Sequence, residues 1–175
     1  MDISQNYFSG YGLEPSFVVE LGALRQTHRA LQQQYHPDRF VTHADDEQRR
    51  AVQITAYLNQ AYQTLTEPLL RGIYLLQLKG MDPLAPTNTQ MPMDFLLQQI
   101  ELREAMEELA DAHDPEAAID TMTAQLKAQA AQLEVDFAQA YTQKEFENAQ
   151  TTVRKLQFVV KLQQQLDALE GELLD

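Results

Sequence analysis

Apolar residues recur every three or four positions through almost the whole of this 175-residue chain, and no alternating run is long enough to make a strand. Such a chain can bury its apolar stripes only by packing helix on helix, which predicts an all-α fold. Phe17, Leu21, Leu24, His28, Leu31 and Tyr35 form the first stripe, with Ser16 as its predicted N-cap. Asp45, Asp46 and Glu47 suit the positive end of a second helix, whose stripe is Ala51, Ile54, Leu58, Ala61 and Leu65 and which must end before Pro68. Two stripes joined by a short connector bury themselves most simply as an antiparallel hairpin. A further helix over 69–79 closes at Gly80.

The segment from Gly80 to Pro92 contains three prolines and no periodicity, so it reads as a domain boundary. The expected organisation is an N-terminal domain over 1–80, a linker over 81–90 and a C-terminal domain over 91–175. The last comprises helices over 92–112, from a cap at Asp114 with Pro115 in the first turn, and over 143–174. Leu162, Leu166, Leu169 and Leu173 carry the heptad spacing of the final helix, and three such helices predict a three-helix bundle.

The net charge of −13 argues against general affinity for nucleic acid or anionic membrane, since phosphate binding needs clustered Lys and Arg. Its distribution is uneven. Residues 1–80 hold seven Lys and Arg against eight Asp and Glu, whereas residues 81–175 hold six against eighteen, giving net charges of −1 and −12. Two such different surfaces imply two different partners. The absence of cysteine excludes disulfides, thiolate metal sites and cysteine nucleophiles. The start of the chain has no basic stretch followed by an apolar run, and a soluble, unexported protein is expected.

Between the first two helices lies His36-Pro37-Asp38. Pro37 must end the preceding helix and hold a rigid, exposed corner. Arg25 and Arg29 lie one turn apart on the helix leading into it and Arg39 follows it, a cationic strip suited to an acidic protein surface. A catalytic pairing of His36 with Asp38 would also require a nucleophile or substrate pocket and an oxyanion site, and none is visible. His28, His43 and His113 lack metal-ligand spacing, and His28 reads as a packed side chain on its stripe. No catalytic residue, metal site or cofactor is therefore expected.

The helix that begins near Pro92 is apolar on two sides. Phe95, Leu102, Met106 and Leu109 form one stripe. Leu97 and Ile100, with Leu96 beside them and Glu101, Glu104 and Glu108 around them, lie about 150° away at the ~100° per residue of an α-helix. One helix of a three-helix bundle cannot bury both sides, and an apolar anchor among carboxylates has the form of a protein–protein contact. Phe158, off the heptad of the last helix, is a further candidate.

With Tyr35, Arg39-Phe40, the run from Leu58 to Leu65, Pro68, Arg71 and Tyr74, the corner makes the first 78 or so residues resemble a J-domain, the module that stimulates ATP hydrolysis by seventy-kilodalton heat-shock chaperones. The segments from Phe95 to Glu104 and from Thr152 to Phe158 extend the likeness to the HscB family, the specialised J-type co-chaperones of bacterial iron–sulfur cluster assembly. That resemblance implies that His36, Pro37, Asp38, Arg25, Arg29 and Arg39 dock onto an HscA-type chaperone. It likewise implies that Leu96, Leu97, Ile100, Glu101, Glu104, Glu108 and Phe158 meet an IscU-type iron–sulfur scaffold protein. It also implies the bacterial form in a cytoplasmic setting, since the cysteine-rich N-terminal extension of eukaryotic relatives has no counterpart here. Three alternatives stay open: a J-type co-chaperone for a different client, a helical oligomer held by the leucines of the last helix, and a hydrolase or metal enzyme built on His36 and Asp38.

Overall fold

The structure is a computed structural model that describes residues 1–87 and 90–174, the side chains of Leu173 and Leu174 excepted. Among these residues there are seven α-helices and no strand, as the periodicity requires. The backbone forms two compact units, Met1–Leu78 and Lys79–Asp175.

The first unit is built on α2 (Leu21–Tyr35) and α3 (Asp45–Thr66), flanked by the short α1 (Tyr7–Gly10) and by α4 (Pro68–Gln77). His28 stacks on Tyr62 at 4.0 Å, Gln32 donates to Asn59 at 3.2 Å, and the Thr55 hydroxyl reaches the Tyr35 carbonyl at 3.3 Å. Partners on α3 thus descend as α2 ascends, so the hairpin is antiparallel. All five residues of the predicted α3 stripe are buried, together with Leu24 and His28 from α2.

The N-terminal segment supplies part of this core, which periodicity alone does not reveal. Phe8, Tyr11 and Phe17 are buried. The Tyr57 hydroxyl donates to the Asn6 carbonyl at 3.0 Å, and the Tyr74 hydroxyl accepts the Tyr7 N–H at 2.9 Å. Burial pushes the Tyr57 phenol up to about 12, so it remains a proton donor across the physiological range. The Tyr11 hydroxyl donates to the Leu58 carbonyl at 3.0 Å, which leaves its oxygen to accept from His28 Nδ1 at 2.7 Å. His28 is thus a buried, hydrogen-bonded core residue.

Helix α2 begins later than its stripe suggests. Ser16 is not its N-cap; the Glu20 carboxylate accepts from Gly22 N and Ala23 N at 3.2 and 2.6 Å, and Leu21 is exposed. Phe17 reaches the core from outside the helix, where the buried Arg71 guanidinium lies 4.9 Å above its ring. Arg71 also donates to the Leu65 and Thr66 carbonyls at 2.6 and 3.4 Å, satisfying two of the groups left over at the end of α3.

The second unit contains α5 (Met93–Glu107), α6 (Pro115–Thr142) and α7 (Phe146–Leu174). Asp114 caps α6 by accepting from Ala117 N at 3.1 Å, with Pro115 in the first turn as predicted. Ile119, Met122, Leu126, Leu133 and Phe137 of α6 and Val153, Leu156, Val159, Leu162 and Leu166 of α7 are buried, whereas Leu169 is half-buried and the Leu173 side chain lies outside the described residues. Helix α5 stops at Glu107 and gives way to a 3-10 turn at Leu109–Asp111 instead of running to 112. Helix α7 starts at Phe146 and not near 143, because Lys144 adopts φ 62 and turns the chain. There Lys144 N donates to Tyr141 O and Glu145 N to Ala140 O, the paired bonds of a Schellman C-cap. Within the segment expected as linker, Pro83 is buried and its carbonyl accepts a long, 3.5 Å bond from the buried Arg154 of α7; Asn88 and Thr89 lie outside the described residues.

Candidate functional site

The corner at 36–38 is a consequence of proline geometry. His36 ends α2 with φ −58 and ψ 129, the extended conformation that a following proline favours. Pro37–Phe40 then form a 3-10 turn in which Arg39 N donates to the His36 carbonyl at 3.0 Å. The Asp38 N–H donates to His36 Nδ1 at 3.3 Å, so in the neutral ring Nε2–H is left as the donor. The Asp38 carboxylate lies 3.6 Å from the same Nδ1, and both side chains stand open to solvent at 55% and 87% exposure. Arg39 binds back to the Gln33 carbonyl at 3.0 Å, capping the last turn of α2.

Arg29, His36 and Arg39 line one open cleft with Gln32, Gln33, Thr55 and Asn59. Arg25, one turn before Arg29, is exposed. Beneath the corner, the Thr55 hydroxyl between the Tyr35 and Ala51 carbonyls and the Gln32–Asn59 bond brace α2 on α3. Thr55 and Gln32 have no signal in the sequence, and Asn59 enters there only within the run from Leu58 to Leu65, because a brace between helices has no periodic signal. Among the described residues no group of three or more His, Cys, Asp and Glu is placed to hold a metal.

On α5 the two apolar sides part as their angular separation requires. Phe95 and Met106 are buried and Leu102 is half-buried, while Leu97 and Ile100 are 54% and 52% exposed. Glu101, Glu104 and Glu108 are exposed around them, and Leu96 is half-buried at the edge. Among the described residues none of these three carboxylates makes an ion pair. Phe158 is placed differently: its half-buried ring packs edge-on against Phe95 at 6.1 Å, in the seam between α5 and α7. Two residues of this region escaped the sequence reading. Met93, 71% exposed, continues the Leu97–Ile100 stripe by one turn. Gln99 is buried at 4% exposure with neither end of its amide partnered among the described residues, where a polar side chain suggests surface by default.

Comparison with known proteins places these features in a family. Residues 91–167 match the family model described as the HSCB C-terminal oligomerisation domain. The co-chaperone protein HscB homolog of Vibrio cholerae is 40% identical over 173 residues, covering 97% of this chain and 99% of that protein. Among solved structures, chaperone HscB from Vibrio cholerae superposes with a TM-score of 0.87 at 35% identity, over 97% of this chain and 99% of its own. The human co-chaperone protein HscB gives 0.88 at 29% identity, over 97% and 84%. Among the described residues no helix is long and apolar enough to cross a membrane. An exposed histidine–proline–aspartate corner on a J-type hairpin, a second all-helical unit and near full-length similarity lead to one conclusion: the chain belongs to the HscB family of J-type co-chaperones.

Proposed function

We propose that this co-chaperone recruits an IscU-type iron–sulfur scaffold protein to an HscA-type seventy-kilodalton heat-shock chaperone and stimulates the chaperone's ATPase, in the cytoplasm. The observation that carries the reading is the corner itself: His36 and Asp38 are solvent-exposed, held by a proline-fixed turn, and flanked by Arg25, Arg29 and Arg39. Prepaid order of this kind lowers the entropy cost of docking, and the arginines complement an acidic partner surface. The ATP site then belongs to the partner.

The scaffold is assigned to the exposed face of α5, with Leu97 and Ile100 as anchors, Leu96 at the edge, Glu101, Glu104 and Glu108 as the charged rim, and Phe158 supporting the helix from α7. Holding the client beside the chaperone raises its local concentration, so capture and docking reinforce each other. A steady-state ATPase assay with chaperone alone, with this protein, and with this protein plus scaffold tests the reading. Hydrolysis rises most in the last, and His36→Gln abolishes stimulation while scaffold affinity stays near wild type. Persistent stimulation by His36→Gln refutes the docking role of the corner, and loss of both activities makes the corner structural. The matching family model is described as an oligomerisation domain, so light scattering of the free protein accompanies the assay.

A further inference from the structure

The chain has six methionines and no cysteine, so methionine is its only oxidisable sulfur. The six are not equivalent. Met106 and Met122 are buried, Met1, Met81 and Met91 are half-buried, and Met93 is 71% exposed. Among the described residues Met93 is also the most exposed large apolar side chain of the second unit, ahead of Val135, Leu97 and Ile100. It opens α5 four residues before Leu97 and seven before Ile100. At ~100° per residue it falls between Ile100 and Glu104 on the helix surface, so Met93, Leu97, Ile100 and Glu104 share one stripe. The thioether therefore sits inside the apolar anchor, in reach of water and of anything dissolved in it.

We propose that Met93 is a site of reversible oxidation by hydrogen peroxide, and that its sulfoxide switches off capture of the protein partner that docks on this face. The inference rests on the scaffold assignment made above, and the partner surface it requires is an apolar patch with basic neighbours, matching the stripe and the unpaired Glu101, Glu104 and Glu108. The Met93 sulfur attacks one peroxide oxygen; the S–O bond forms as the O–O bond breaks. The thioether loses two electrons and the peroxide is reduced, leaving as water once the displaced hydroxide takes up the proton. The product places a polar, chiral group where the partner must bury apolar surface, and methionine sulfoxide reductases reverse it. Exposure and site selectivity come from the same geometry, since the other methionines are shielded to differing degrees.

The full-length protein is titrated against purified IscU-type scaffold by calorimetry before and after peroxide treatment, with tandem mass spectrometry locating the added oxygen. Oxygen appears first on Met93, and affinity falls by about tenfold or more, the scale of losing one buried apolar side chain. Met93→Leu, which keeps the apolar surface without the sulfur, holds its own affinity through the same treatment, and sulfoxide reductases restore the wild type. Full conversion of Met93 with unchanged affinity overturns the inference alone, as does an equal loss in treated Met93→Leu. A wild type that fails to bind scaffold before any peroxide is added overturns the docking assignment together with it.

Discussion

Replacing both Leu97 and Ile100 with Ser removes the apolar anchor of the proposed scaffold site, at a cost to the bundle of the part of their burial already made. Both side chains are just over half exposed, so roughly half of the ~1.5–3 kcal/mol obtained by burying such a side chain is already realised in the free protein. The rest, about 0.8–1.5 kcal/mol each, is available only on docking. Together the two substitutions forfeit about 1.5–3 kcal/mol of binding, which at ~1.4 kcal/mol per decade is a roughly 10- to 150-fold rise in Kd. Calorimetry against the scaffold measures it, with circular dichroism confirming that the helices persist. Val135 of α6 supplies the control, being 60% exposed on a different helix: Val135→Ser changes exposed apolar area by a similar kind and leaves Kd within twofold or so. A double variant that binds within about threefold of wild type, or a Val135→Ser that weakens binding as much, refutes the assignment of this face.

Lys144→Gly raises the stability of the second unit, because a non-glycine residue in the left-handed region costs about 1–2 kcal/mol, of which the greater chain entropy of unfolded glycine cancels ~0.5–1. A gain of about 0.5–1 kcal/mol appears as a melting temperature a few degrees higher; an unchanged or lower value refutes the strain. Gly80→Ala, at φ 78, moves stability the other way by a similar amount in denaturant titration. The His28 pKa lies below its ordinary 6.5 because burial disfavours the imidazolium, so the unfolded chain takes up that proton first. Stability of the first unit is therefore level above about pH 6.5 and falls as pH drops below it, and the urea midpoint of His28→Phe lacks that component. Identical acid dependence in the two proteins refutes it.

Helix α3 was legible to both ends because each boundary has a local cause: three acids at its positive end and Pro68 beyond its last turn. Helix α2 was misjudged at its start because Phe17 continues the period while standing in a non-helical segment; period reports which side chains reach the core, not whether the backbone between them is helical. Its true cap, Glu20, belongs to a residue type seldom found in that role, so Ser16 drew the assignment. The four residues of α1 are too few to show a period, yet Phe8 at its centre is fully buried. At Lys144 the sequence offers no glycine to mark the turn, and the last helix accordingly seemed to begin too early.

Helix α5 shows how a site can be read from an excess. Its two apolar sides cannot both be buried in a three-helix bundle, and packing of Phe95, Gln99 and Met106 inward leaves Met93, Leu97 and Ile100 in water. Those three side chains keep more than half of their surface in water and invite nonspecific association, which the neighbouring carboxylates oppose. An isologous pairing of this face would set Glu101, Glu104 and Glu108 of one copy near those of another, and the second half of the chain already carries a net charge of −12. Like charges brought together at a contact cost free energy, whereas Lys and Arg on a different protein would find all three carboxylates without competing partners. The same residues thus favour a basic-rimmed heterologous partner and disfavour self-association through this face. Raising the salt concentration should weaken scaffold binding while leaving the free protein monomeric by light scattering; a salt-promoted dimer that Leu97→Ser abolishes would reverse the assignment.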